Sequence, residues 1–277
     1  MKRVIVKFAI FLLLTSAWLR GYSQFDFPSI GGKETTLGGI TTTLTGATSS
    51  LQNPAMLGFA EKSNIGIGIL QNYVLKGFGH KNIHLTYASD NYRGNWGLDY
   101  QHFGNTNYSE QRASLGYGIA INDRISIGGA LHYLYSGTSD AHYISLHLMT
   151  FSLGVQYIPV ERMIVGVALI NPMSVKMNTQ ETSFVPSQFK VGVGYQICEE
   201  LTGHLELEHR TNSYQNLRIG LEYNYLLKLF ARVGFCSSPS AFSFGIGYLG
   251  DSFAIDLGSQ YHQQLGISPQ ISAHYYF

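Results

Sequence analysis

The chain has 277 residues and carries 18 Lys and Arg against 17 Asp and Glu, and a net charge of +1 leaves no basic footprint for nucleic acid. Charged residues make up 13% of it, about half the share usual in soluble domains, while Tyr, Phe and Gly are abundant at 19, 16 and 31. No apolar run beyond the amino-terminal region is long enough for a membrane-spanning helix, which leaves a β-barrel whose apolar residues are diluted by alternation.

Met1 to about Ser23 reads as a secretory signal peptide. Lys2, Arg3 and Lys7 form its basic start, Phe8 to Leu14 its apolar core, and Gly21 and Ser23 supply small residues before a cut at Gln24. The apolar run is too short to span a bilayer, and no Cys stands near the cut to carry a lipid anchor. The expected location is therefore the outer membrane, with the mature chain starting near Gln24.

Residues 24–62 do not alternate and form a separate amino-terminal segment. Gly31-Gly32, Gly38-Gly39 and the Thr-rich stretch 41–50 are small and polar, leading into Asn53-Pro54-Ala55. From residue 63 to 277 the chain reads as short alternating strands broken by turn residues. They fall near 63–71, 81–89, 94–104, 111–121, 124–136, 142–158, 162–170, 188–197, 201–210, 216–225, 228–236, 241–249, 253–262 and 267–277. The count is fourteen, with twelve as the alternative, and an even number suits a closed antiparallel barrel. The sixth strand loses parity near Met149-Thr150, where a bulge is expected.

Short and long connections alternate along this pattern, as inner turns and outer loops should. The expected inner turns are 90–93, Asn122-Asp123, Pro159-Val160-Glu161, Glu199-Glu200, Leu226-Leu227 and Gly250-Asp251. The expected outer loops include 72–80, 105–110, 137–141 and the longest, 171–187. Parity also divides the faces. Leu115, Tyr117, Ile119, Ile127, Leu131 and Tyr133 should meet lipid, as should Phe189, Val193, Phe242, Phe244 and Ile246. Ser114, Gly116, Gly118, Gly192, Gly194, Ser243, Gly245 and Gly247 fall on the opposite face, where missing side chains leave room for something else.

The ninth to eleventh strands hold most of the aligned charge. His204, Glu206 and Glu208 share a face with Arg210, followed by Arg218 and Glu222, then Lys228 and Arg232. Carboxylates facing lipid are costly, so this ladder should line the lumen. A base-and-orienter pair of His204 and Glu206 is the catalytic alternative, but no neighbouring Ser supplies a nucleophile. Asp99, Arg112 and Asp256 also point inward and are read as anchors for the amino-terminal segment. The ten histidines show no metal-ligand spacing, so neither metal nor cofactor is expected. Cys198 and Cys236 fall at opposite ends of the barrel, beyond disulfide reach. Residues 245–250 match a dinucleotide-binding string, but alternation resumes directly after it, so no helix start follows.

The last strand alternates Ile271, Ala273, Tyr275 and Phe277 against Gln270, Ser272, His274 and Tyr276. Tyr275 with a terminal Phe277 resembles the signal read by the barrel-assembly machinery of outer membranes. Leu37-Gly38-Gly39 followed by Asn53-Pro54-Ala55, with the later His262-Gln263-Gln264-Leu265-Gly266, resembles the FadL-like outer-membrane family. Among its members the similarity is nearest to the PorV- and PorQ-type proteins associated with type IX secretion in Bacteroidetes. The resemblance implies a fourteen-stranded barrel whose amino-terminal segment folds into the lumen as a hatch holding the Asn-Pro-Ala motif. It implies one of two roles. The first is an accessory scaffold of a type IX-like secretion system, with secretion subunits or exported cargo as partners. The alternative is a passive transporter of hydrophobic small molecules. Neither is an enzyme.

Overall fold

The computed structural model describes residues 28–45, 51–89, 94–140, 145–173, 185–211 and 215–277. The expected signal peptide, the turn at 90–93 and most of the longest outer loop lie outside the described residues. Fourteen antiparallel strands form a closed barrel, each bonded to its chain neighbours, with the first bonded to the last. They are β1 (Asn64–Gln71), β2 (Gly79–Tyr87), β3 (Asn95–Gly104), β4 (Tyr108–Asn122), β5 (Ile125–Thr138), β6 (Leu146–Val160) and β7 (Met163–Ile170). The second half comprises β8 (Gln188–Gln196), β9 (Leu201–Arg210), β10 (Gln215–Tyr225), β11 (Leu229–Ser237), β12 (Ser240–Leu249), β13 (Phe253–His262) and β14 (Gly266–Tyr276). The closing seam pairs Asn64 with Tyr276 and Leu70 with Gln270.

Closure gives backbone groups along the wall a partner, the condition for crossing hydrocarbon with strands. Period-two alternation then decides the two surfaces. Ile67, Leu98, Leu131, Leu153, Leu207 and Phe244 are exposed on the outside, an apolar belt of the kind a bilayer core demands. Trp96 and Tyr117 lie 4.9 Å apart between ring centres near the inner rim. Tyr157, Tyr195, Tyr223, Tyr248 and Tyr275 are exposed toward the same end, forming an aromatic girdle. The faces match the parity expected from sequence. Leu115, Phe189 and Phe242 stand outside, while Ser114 and Ser243 are buried inside.

Three sequence expectations need correction. No bulge lies at Met149-Thr150. Pairing of β5 with β6 is continuous there, with Tyr133 opposite Met149 and His132 opposite Thr150. The apparent loss of parity arises because Leu146 and Leu148 face inward and pack against buried Leu134 and Val185. Register shifts fall instead between Ala120 and Asn122 and between Tyr157 and Val160. Second, Pro159 and Val160 belong to β6, so this inner turn is Glu161-Arg162. Third, Lys228 sits in the turn after β10, half-exposed and 3.8 Å from exposed Asp251, outside the lumenal ladder. Cys198 lies in the inner turn after β8 and Cys236 near the outer end of β11, and both are free thiols.

Candidate functional site: the seat of the amino-terminal segment

The described parts of residues 28–60 lie inside the barrel. They hold its apolar core, because Ile30, Leu37, Ile40, Leu44, Met56 and Leu57 are all buried. The segment follows the wall. Starting at β14, Gly32 N–H donates to Ser272 Oγ at 2.9 Å, and Gln270 Nε2 donates to Ile30 O at 3.0 Å. A single-turn helix, α1 (Gly32–Thr36), crosses toward β12. There Ser243 Oγ donates to Thr36 O at 3.0 Å and accepts from Gly38 N–H at 2.9 Å.

Gly38 and Gly39 end this turn with φ of +77° and +84°, a conformation that non-glycine residues rarely adopt. A Cβ on Gly38 would also stand 2.7 Å from the carbonyl oxygen of Phe235. Both constraints let the chain turn close against β11 and run on to β9.

At β9 the segment meets the charged ladder. Glu206 is fully buried, and one of its oxygens accepts from Thr41 N–H and Thr42 N–H, each at 2.8 Å, and from Thr42 Oγ1 at 2.9 Å. Its other oxygen pairs with Arg218 at 2.7 Å, and the same guanidinium nitrogen donates to Gly39 O at 3.0 Å. A buried carboxylate thus receives consecutive amides while its charge is balanced from the adjacent strand, as burial of an ion requires. Glu208 pairs with Arg210 at 2.9 Å, with Lys190 at 3.9 Å and with Arg218. Lys190 also donates to Gln52 Oε1. Glu222 pairs with Arg232 at 2.6 Å and with Lys33 of the segment at 3.1 Å, and Arg232 continues to Asp256.

His204 stands apart from these pairs, its Nδ1 lying 2.9 Å from Thr43 Oγ1. Glu206 is committed to the segment and Arg218, so His204 and Glu206 do not form a base-and-orienter pair. Asp99 and Arg112 pair with each other at 3.5 Å across β3 and β4. Asp256 backs directly against Gly32 of α1.

The Asn-Pro-Ala motif closes the circuit. Asn53 precedes a 3-10 helix, Pro54–Phe59, and its Oδ1 accepts from Ala55 N–H at 3.3 Å. Its Nδ2 donates to Thr42 O at 3.0 Å, joining the motif to the stretch held by Glu206. Pro54 packs over Gly118 and Gly128, where its carbonyl leaves no room for a Cβ. Ser126 Oγ donates to Ala55 O at 2.5 Å, and Asn95 Nδ2 donates to Leu57 O and Ala60 O at 2.6 and 2.8 Å. Much of the space left by lumenal glycines is therefore the track of this segment, while at Gly194 and Gly247 wall side chains, His204 and Asp256 with Arg232, fill it. Gly166 and Gly192 abut Thr42, Gly220 abuts Leu37, Gly234 abuts Gly38, and Gly245 and Gly258 abut Thr36.

Sequence reasoning missed several members of the seat. Gln156 is fully buried and donates to Thr42 O and Leu44 O at 2.8 and 2.7 Å. Lys190, Ser126 and Asn95 were missed as well. Their signal was parity, since Gln156 shares a face with Gly154, and Lys190 with Gly192. At the far end, Tyr275 and Phe277 point outward with ring centres 6.3 Å apart, and Phe277 N–H donates to Ser63 O at 2.9 Å.

No family model and no curated protein matches this sequence. Solved structures do resemble the fold. The toluene transporter TbuX of Ralstonia pickettii superposes with a TM-score of 0.69 at 12% identity, over 92% of this chain and 100% of that one. A FadL homologue from Pseudomonas aeruginosa gives 0.64 at 11% identity, over 90% and 98%. The toluene transporter TodX of Pseudomonas putida gives 0.64 at 12%, over 91% and 98%. At these identities the likeness establishes the fold.

Proposed function

We propose that this protein is an outer-membrane channel for hydrophobic small molecules, with residues 24–62 acting as its hatch. The observation that carries the reading is the shared architecture over nine-tenths of the chain with barrels described as toluene transporters. The apolar cluster of Leu134, Leu146, Leu148 and Val185 supports it, because it places packed apolar side chains on the lumenal side near the outer end. The hatch, held by Glu206, Gln156 and Ser243, must shift for a molecule to pass. The test is uptake of labelled toluene by cells that lack their own apolar-solute channels. Expression should raise the initial rate. Unchanged uptake with folded barrel in the outer membrane would sink the proposal.

A second reading is a PorV- or PorQ-like accessory of a type IX-like secretion system. Two observations favour it: every strand is bonded to both neighbours around the barrel, and the segment packs tightly against many of the lumenal glycines. Deleting the gene should then alter the set of secreted proteins, and an unchanged secreted proteome would remove this reading.

A further inference from the structure

On the outer wall of the barrel, one stretch toward the outer end departs from the apolar belt. Five outward side chains stand directly opposite one another across β2 to β6. Lys81 faces His102, His102 faces Gln111, Gln111 faces Tyr135, and Tyr135 faces His147. They share the parity of Leu98, Leu115 and Leu131, so they point away from the lumen and the hatch. The corresponding row near the outer end of β11 to β14 runs Phe235, Phe242, Tyr261 and Ile267. The polar row is therefore a local feature of one side of the barrel.

This row offers donors and holds no carboxylate. From the row below, Tyr100 Oη donates to Gln111 Oε1 at 3.0 Å, which occupies the amide oxygen and leaves the NH2 group to donate outward. Tyr133 Oη lies 2.6 Å from His147 Nδ1, and with the hydroxyl as donor the ring proton is on Nε2. Lys81 is exposed, and its long stem can lie along apolar surface while the ammonium reaches the head-group level. Its neighbour across β1 is Ile69, which supplies no countercharge. Glu110, next to Gln111, is buried on the opposite face and accepts from Tyr108. A cation on a lipid-facing strand is costly unless it is matched, so the matching anion has to come from the membrane.

Immediately below the row an open groove of about 560 Å³ runs down the same strands. Ala113 is its floor, placed in register between Tyr100 and Tyr133, and Ile83, Leu98 and Leu131 form its sides. Donors above an apolar slot reproduce the polarity of one lipid, with the head group at the row and a chain beneath it. The row covers four strand spacings, about 19 Å. That is wider than a single phosphate and suits a head group that sets phosphate beside sugar hydroxyls.

We infer that this face of the barrel binds a phosphorylated glycolipid of the outer leaflet, with a phosphate between Lys81 and Gln111 and one acyl chain in the groove over Ala113. The inference goes beyond the transport reading and does not depend on it.

The experiment titrates the full-length barrel in detergent with lipid A, and with the same lipid stripped of its phosphates, and reads bound lipid by native mass spectrometry. Lipid A should bind about tenfold more tightly than the stripped form, the factor one charge-assisted hydrogen bond supplies. Lys81→Gln should remove that preference. Lys228→Gln, which deletes the same charge at the inner rim, should leave it intact. Ala113→Phe fills the groove and should weaken both lipids together. Gln111→Leu stands in if Lys81→Gln does not fold, and should cut the preference about threefold. Equal binding of the two lipids would overturn the proposal, as would a preference that survives in Lys81→Gln or is lost equally in Lys228→Gln. Unchanged binding by Ala113→Phe would overturn it as well.

Discussion

Two regions of the lumenal wall differ in what their buried polar side chains meet. Around β8 to β11, with Gln156 of β6, the ladder side chains each bond the hatch or one another, although Gln156 Oε1, His204 Nε2, Arg218 Nε and Asn224 Oδ1 have no partner. Glu206 takes two backbone amides and Arg218, Gln156 takes two carbonyls, and Glu222 joins Arg232 and Lys33. Around β1 to β3 and β14 the wall is just as polar, yet several atoms have no partner. Both amide atoms of fully buried Gln101 are unpaired, as are Asn64 Nδ2, His84 Nδ1 and His274 Nδ1. The first region spends its polar groups on fixing the hatch. The second leaves several donors and acceptors buried without contact to the hatch. Burial alone does not distinguish them; only the identity of the facing group does.

The largest effect should follow from removing the carboxylate at the centre of the matched region. Glu206→Leu leaves Arg218 and the Thr41 and Thr42 amides without their acceptor, a loss of about 3–5 kcal/mol for a broken buried pair. Hatch release should follow, read as raised single-channel conductance in planar bilayers. Unchanged conductance and stability would mean that Glu206 does not hold the hatch.

The next comparison uses adjacent glycines on β5. Gly128→Ala places a Cβ against the Pro54 backbone, whereas at Gly129 the nearest atom is 3.7 Å away, an ordinary contact. The first change should cost about 1–3 kcal/mol through overpacking. The second should leave urea unfolding in detergent within about 0.5 kcal/mol of the parent. Equal effects would show that the hatch does not press on the wall there.

Two buried glutamines then test the contrast by sign. Gln156→Leu strands two hatch carbonyls and should destabilise by about 1–3 kcal/mol, while Gln101→Leu removes unpaired atoms and should be neutral or stabilising. The same unfolding assay reads both, and destabilisation of similar size would dissolve the distinction between the regions. The smallest effect belongs to the exposed pair at the inner rim. Asp251→Asn should leave the unfolding midpoint unchanged, because exposed ion pairs contribute little.

Much of the wall was legible before any coordinates. Alternation located all fourteen strands within a few residues, because a strand between lipid and lumen must change environment at every step. The same rule placed Glu206, Glu208, Arg218, Glu222 and Arg232 inside. It failed where the lumen is itself apolar: Leu146 and Leu148 face Leu134 and Val185, and an inward apolar residue imitates a bulge. The Thr-rich stretch carried no pattern, although Thr41 to Leu44 is the part held most closely.

The sequence by itself determined the barrel, its outward and inward faces and the presence of a non-alternating segment, because each of these depends on local period and composition. Which lumenal groups meet that segment was decided only in the tertiary structure. Thr41 and Glu206 are 165 residues apart, and nothing local distinguishes Glu206, which takes the hatch amides, from Glu208, which pairs with Arg210, Arg218 and Lys190. Such partners are set by closure of the strands and by the path that the glycine track leaves open.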